Sequence, residues 1–418
     1  MSILIVKHGA ILSECISMNV WNNLFMRIQK EKKMVLTSKQ EEGLKIAVKR
    51  YKDKEPYTVI AGYAGVGKST LVSIIIEALN LNPGSDVAYI AYTGKASEVL
   101  RHKGCPNAMT AHKLLYYSKK MPDGSFVTRP RPTIGGFKVI IVDEVSMLPR
   151  HMWELLLTHN IHVIACGDPE QLPPVKADKE KLDILDYPHI FLDEVMRQAQ
   201  DSEIIRLSMD IRAGNPISYM KGNQVMVLPY REANEAMYDW ADQIICATNR
   251  TRNDINMAMR SMHGRGPDPE EGDKVISLSN QWEIFSDNQE ANLINGTIGY
   301  LGHSYKDHTR YPIYNFPNPV PVLMADFTSE SGEHFGYLRM DYQAILTGKK
   351  YLTPQQEYRI FSNKNLKGTE PLEFNYGYAI TGHRAQGSEW GKVLAFEESF
   401  PFNSEEHRRW LYTVVTRA

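Results

Sequence analysis

The 418 residues are 43% hydrophobic and 23% charged with a formal net charge of −1, the make-up of a soluble globular protein long enough for several domains. Near-neutrality excludes a global basic field, so any nucleic-acid surface has to be a local cleft. The four cysteines (Cys15, Cys105, Cys166, Cys246) lie far apart with no C-x-x-C pair, which argues against a disulfide framework or zinc site and fits a reducing cytoplasm; no run of about 18 apolar residues offers a membrane span.

The opening stretch "MSILIVKHGAILSECISMNVW" lacks a basic leader and a small-residue cleavage site, so it does not read as a signal peptide. Residues 1–33 are expected to be an extension that the core does not need, with no role assigned. From residue 34 an alternating pattern begins. "YTVIAG" (57–62), "DVAYIAY" (86–92), "KVIIVDE" (138–144) and "IHVIACGD" (161–168) are continuous apolar runs, as strands covered on both faces of a parallel sheet require. The stretch "KSTLVSIIIEALN" (68–80) reads as an intervening helix, which gives an α/β layout with ligand sites at the carboxyl ends of the strands. Between Arg101 and Lys138 the pattern breaks, and Asp123-Gly124 between two short arms is a hairpin signal, readable by itself as a surface excursion. A second alternating block runs through "ADQIICATNRTRNDINMAMR" (241–260) and "YGYAITGHRAQGSEWGKVLAFEE" (376–398). Between them, residues 301–372 carry Pro312, Pro317, Pro319 and Pro321 among short aromatic runs and read as a β-rich insert.

Three stretches carry chemistry. "GYAGVGKS" (Gly62 to Ser69) satisfies G-x-x-x-x-G-K-[ST] after a strand and before a helix. Its glycines let the backbone N–H groups of Gly62, Ala64, Gly65, Val66 and Gly67 wrap phosphates, and the helix N-terminus, with Thr70, adds positive potential. Lys68 is placed to reach the β/γ-phosphates of ATP, and the Ser69 hydroxyl to ligate Mg²⁺. "VIIVDEVSM" ends an apolar strand in two acids: Asp143 is suited to hold Mg²⁺, and Glu144 to orient or deprotonate the attacking water. In "GDPEQLPPV" (167–175), Gln171 sits in a proline-stiffened loop where it can touch the γ-phosphate or the water; without context the same segment is a rigid turn.

"GYAGVGKST", "AYTGKASEVL", "VDEVSM", "GDPEQLPPV", "ATNRTRNDIN", "NGTIG", "ITGHRAQGSEW" and "LYTVVTRA" stand in the order and approximate spacing of superfamily 1 helicases, and the chain most resembles the RecD/Dda group, which includes the exonuclease V alpha subunit. The resemblance covers roughly residues 36–300 and 374–418. It implies two RecA-like P-loop domains with parallel sheets: a first over 34–192, with a pin hairpin at about 103–137, and a second over 193–300 and 373–418. Residues 301–372 would then be an SH3-like insert. It also implies ATP and Mg²⁺ in the interdomain cleft, and 5′ to 3′ movement on single-stranded DNA. Gln40 matches the adenine-recognising glutamine, Arg197 an arginine reaching the γ-phosphate from the second domain, and Arg417 the arginine finger. Thr93, Lys95, Thr110, His112, Thr381 and His383 would line the single-strand track, with Gln386 near both strand and nucleotide. Phe126 or Tyr117 of the pin would stack on a base at a single/double-strand junction. As isolated residues, these polar groups read equally as helix caps or loop hydrogen bonds.

The chain departs from the family at Tyr63, Val66 and Ser69, where proline, threonine and threonine are frequent, and at Arg384, where lysine is common. The family continues into a further strand after the arginine of "VVTRA", so the expectation is a second sheet short of its C-terminal strand, with the aim of Arg417 in question. Partners implied are single-stranded DNA, junctions and single-strand binding or other replication and repair proteins, for a monomer in a bacterial or phage-infected cytoplasm. Two rivals remain: a P-loop ATPase that remodels protein complexes without unwinding, and the helicase subunit of an exonuclease V-like assembly.

Overall fold

A computed structural model describes residues 2–7, 36–120, 126–173, 182–194, 202–287, 292–366, 368–398 and 404–418. The first sheet is six-stranded and wholly parallel, in the order Met109–Thr110, Val87–Ala91, Val139–Val142, His162–Gly167, Tyr57–Gly62, Ile190–Leu192. Adjacent residues of one strand feed opposite cores. Val59 and Ala61 pack with Ile140, Val163 and Leu156 on one face, and Ile60 packs with Ile75, Ile141 and Ile164 on the other. Double coverage is why the strands read as unbroken apolar runs rather than alternating ones.

The second sheet mixes directions. Gln243–Cys246 runs parallel to Ala379–Thr381 and to Lys392–Phe396. Beyond Lys392–Phe396 the next strand is Ser2–Lys7, antiparallel both to it and to Val225–Pro229. Residues expected to be dispensable therefore form an interior strand of the second domain, because "SILIVK" supplies an apolar side chain to a gap bordered by two others: Leu4 is fully buried and pairs with Val227 and Ala395. Burying such a leucine contributes about 1.5–3 kcal/mol, and the strand adds a ladder on each edge.

The insert is a five-stranded antiparallel sheet in the order His334–Asp341, Val320–Ser329, Ile298–Thr309, Lys274–Ser277, Phe374–Tyr376. It reaches beyond 301–372 at both ends. Phe327, Phe335 and Phe374 from this sheet share a core with Ile244, Leu394 and Phe396, so the insert is fused to the second domain rather than hung from it. Tyr116–Lys120 and Phe126–Pro130 pair antiparallel as the hairpin arms; Asp123-Gly124 at its turn lies outside the described residues. Among the described residues no helix is long and apolar enough to cross a membrane.

Candidate functional site

The parallel strand Tyr57–Gly62 hands directly to the phosphate loop and the helix Lys68–Ala78. Gly65 and Gly67 adopt left-handed backbone (φ 75° and 79°), which a side chain would strain, and Gly67 caps the helix without a side chain in the way. Gly62 has a second constraint, since a Cβ there would lie 2.7 Å from the Leu192 carbonyl oxygen. The Lys68 ammonium donates to the carbonyls of Gly62 (2.8 Å) and Tyr63 (2.9 Å), curling the loop around its own lysine. Ser69 is exposed and Thr70 half-buried at the start of the helix. Gln40 is buried at the start of helix Ser38–Lys52, where it closes a capping box with Thr37 and donates through Nε2 to the Val66 carbonyl (3.2 Å).

Asp143 and Glu144 follow the strand Val139–Val142, next to the phosphate-loop strand's neighbour. Burial, then the adjacent Glu144 charge, pushes the Asp143 carboxyl up to about 6, with Lys68 opposing. Two adjacent oxygen-bearing acids suit a hard divalent cation, and together with the Ser69 hydroxyl the donor set fits Mg²⁺. Glu144 holds left-handed backbone (φ 49°, ψ 49°), a conformation that costs a non-glycine residue on the order of 1 kcal/mol or more and commonly marks a working side chain.

The strand His162–Gly167 delivers the loop of Asp168 to Pro173, and the second domain grips it. Gln171 is buried; with its amide oriented to satisfy both neighbours, it donates to Glu144 Oε2 (3.3 Å) and accepts from Arg417 Nη2 (3.3 Å). The Leu172 N–H donates to Thr413 Oγ1 (3.0 Å), and its carbonyl accepts from Gln386 Nε2 (2.6 Å). Arg408 donates to Glu170, and Arg409 to the Pro169 carbonyl (3.0 Å). Tyr412 donates its hydroxyl proton to Asp168 (2.6 Å) and accepts the N–H of Ala64 (2.9 Å), tying the phosphate loop to the second domain. Burial raises the Asp168 carboxyl, and burial plus the Asp168 charge raises the Tyr412 phenol.

Arg417 is no frayed tail. It is 5% exposed, and its guanidinium donates to the Thr413 carbonyl (3.0 Å) and the Ser388 carbonyl (3.4 Å), while its own carbonyl accepts from the Trp390 N–H (2.8 Å). Arg197 lies outside the described residues. Tyr412, Thr413, Arg408 and Arg409 were not singled out from sequence, although the first two stand inside "LYTVVTRA"; their place in the amphipathic run just before Arg417 was the available signal.

The residues expected to line a strand track have structural duties. Thr93 caps helix Gly94–His102 and Thr110 caps Ala111–Leu115 through their hydroxyls. Lys95 pairs with Glu98 (3.2 Å). His112 leans between Tyr92 and Tyr116, and burial lowers its pKa; His383 is lowered by the same cause. Thr381 is buried and starts the short helix Gly382–Ala385 without a side-chain cap bond. Gly94 and Ala96 face second-domain residues, since a Cβ on Gly94 would meet Ile294 at 2.6 Å and one on Gly387 would meet Ala96 at 2.9 Å. Gly94 and Ala96, beside Thr93 and Lys95, thus lie along a seam with second-domain residues. On the hairpin, Arg131 sits 4.2 Å over the exposed Tyr117 ring; the Phe126 side chain lies outside the described residues.

Residues 36–225 match the family model of an AAA domain, and residues 376–418 that of the UvrD-like helicase C-terminal domain. The ATP-dependent RecD2 DNA helicase of Deinococcus radiodurans is 28% identical over 373 residues, 86% of this chain and 45% of that protein. The matched domains and this relative are those of superfamily 1 helicases, which the chain resembles. The ATP-dependent DNA helicase Dda of Enterobacteria phage T4, in the same superfamily, is 30% identical over 190 residues, 43% of each chain. The superfamily 1 fold also appears in the solved structure of a Bacteroides Pif1 helicase with ADP-AlF3 and ssDNA, which covers 92% of this chain and 90% of its own at a TM-score of 0.52 and 16% identity. The chain spans less than half the length of these two curated relatives.

Proposed function

We propose that the chain is an ATP-dependent DNA helicase motor that moves 5′ to 3′ along single-stranded DNA and opens duplex at junctions. The observation that carries the ATPase half is the contact series Glu144–Gln171–Arg417, which joins an acid of the first domain to a guanidinium of the second through one buried amide. The phosphate loop and Lys68 hold the nucleotide's phosphates. Ser69 and Asp143 would hold Mg²⁺, which supplies charge neutralisation between the β- and γ-phosphates when bound. Glu144 takes the proton from a water whose oxygen attacks the γ-phosphorus; the bond to the bridging oxygen breaks, leaving ADP and phosphate. Gln171 orients that water, and Arg417 stabilises the charge spread over the transferring group. Gln40 recognises adenine, and Arg197 is a second γ-phosphate contact.

The DNA half rests on the family. Thr93, Lys95, Thr110, His112, Thr381 and His383 line the strand track, and the hairpin at 116–130 is the pin. The named relatives, RecD2 and Dda, are ATP-dependent DNA helicases, which supports the same activity here. Movement requires that nucleotide states favour different domain arrangements, and the seam on the Asp168–Pro173 loop supplies the contacts that differ. The test is ATP turnover with and without single-stranded DNA, then unwinding of duplexes with 5′ or 3′ tails. The expected outcome is stimulation of turnover and opening of the 5′-tailed duplex. Unstimulated turnover would instead favour a protein-remodelling ATPase, and preference for the 3′ tail would reverse the polarity.

A further inference from the structure

Tyr63 stands in the phosphate loop where the family often has proline, and the motor mechanism above gives it no task. Its ring carries the Arg212 guanidinium on one face, with Cζ 3.5 Å from the ring centroid, and meets Phe191 edge-on at 5.3 Å. Arg212 ends the second-domain helix Glu203–Arg212, so the stack crosses the cleft. Both partners are wired into the site through their main chains. The Tyr63 carbonyl accepts from Lys68, and the following N–H, that of Ala64, donates to Tyr412. The Arg212 carbonyl accepts from Arg408 Nη1 (3.2 Å), the nitrogen that also donates to Glu170, beside Gln171.

We propose that Tyr63 and Arg212 form an interdomain latch, a pair of positioning residues that hold the phosphate loop against the second domain in the arrangement where Arg417 reaches Gln171. A planar guanidinium over an aromatic face is specific in a way that charge alone is not: lysine has no plane to stack, and proline offers no π-face to receive it. Contacts of this kind shift equilibria by roughly two- to thirty-fold, depending on how dry they are. Because the latch exists only when the domains are docked, its loss lowers the fraction of ATP-bound protein that is docked and competent for hydrolysis, while capture by the first domain is left in place. A residue of this type therefore acts on turnover rather than on nucleotide capture. Lys68, the phosphate-loop glycines and Gln40 belong to the first domain and retain their geometry when the stack is lost.

The inference rests on the reading of the cleft as an ATPase, and one arm of its test does not. Tyr63→Leu, Arg212→Gln and the double variant are compared with Tyr63→Phe and Arg212→Lys. Expected kcat for DNA-stimulated ATP hydrolysis falls about three- to ten-fold in each of the first two, with KM for ATP within two-fold, and the double variant is no worse than either single one. Tyr63→Phe keeps the ring and recovers at least half the wild-type rate; Arg212→Lys does not. Small-angle scattering of the protein alone should give a larger radius of gyration for Tyr63→Leu and Arg212→Gln than for the wild type and Tyr63→Phe. Additive losses, a Tyr63→Phe variant as slow as Tyr63→Leu, or an unchanged radius would each overturn the latch. If the wild type hydrolyses no ATP, the functional reading falls, and scattering still decides whether the stack holds the domains together.

Discussion

The first-domain sheet is wholly parallel, and its strand ends deliver Lys68, Asp143, Glu144 and Gln171 within a few residues of the sheet. The second-domain sheet is mixed and includes a strand from the far end of the chain. It contributes to the cleft through side chains of the helix Ser404–Val415, of Arg417 just beyond it, and of Gln386 and Arg212. One side of the site is therefore built from backbone at fixed strand ends, while the other arrives by docking. A change in the phosphate loop on the first side should weaken binding; a change on the second should leave binding and remove turnover.

The sharpest way to break that contrast is to compare Lys68→Ala with Arg417→Ala. Lys68→Ala is expected to abolish hydrolysis and to weaken ATP binding. Arg417→Ala should lower kcat by about 10³-fold or more, the scale of an arginine finger, while nucleotide affinity stays within a few-fold. Stopped-flow binding of a fluorescent ATP analogue with steady-state turnover measures both. If Arg417→Ala loses affinity as far as Lys68→Ala, the second domain takes part in capture and the division of labour is wrong.

A change remote from the cleft tests the docked side's dependence on its borrowed strand. Leu4→Ala is expected to destabilise the second domain by about 2–5 kcal/mol, the range for emptying a buried leucine site. Thermal unfolding should then separate into two transitions, with ATP shifting the upper one, which belongs to the first domain. A single transition, unchanged in midpoint, would mean that Ser2–Lys7 is not part of the working sheet.

Legibility in the sequence followed the same division. The loop glycines, Lys68 and the paired acids could be read because each group lies next to its neighbours along the chain. "VDE" after an apolar strand needs no distant partner to make sense. Tyr412 is 348 residues from the Ala64 N–H it accepts, and Arg212 meets Tyr63 across the cleft, so no local spacing announces either contact. "SILIVK" illustrates a different obstacle. A six-residue apolar run is long enough for a strand, but periodicity does not say which sheet has a gap for it. Thr93 and Thr110 were ambiguous for a chemical reason: the hydroxyl that can hold a phosphate is the same one that caps a helix, and here both caps are made.

The smallest expected effect concerns the acid pair and is read by pH. Asp143, with its carboxyl near pH 6, binds a proton more tightly in the folded chain than in the unfolded one, because burial and the Glu144 charge disfavour its ionised form. That raised value contributes stability which is fully present below the ordinary carboxylate range and is lost as pH rises through about 6. The same proton competes with Mg²⁺. Apparent Mg²⁺ affinity in the ATP-loaded protein should therefore weaken by up to about tenfold for each unit of pH below 6 and level off above it. Mg²⁺ titration from pH 5 to 8 measures the slope, and Asp143→Asn, which has no proton to lose, should flatten it while weakening binding throughout. A slope that persists in Asp143→Asn would place the competing proton on a group other than Asp143, the γ-phosphate of the bound ATP first among them.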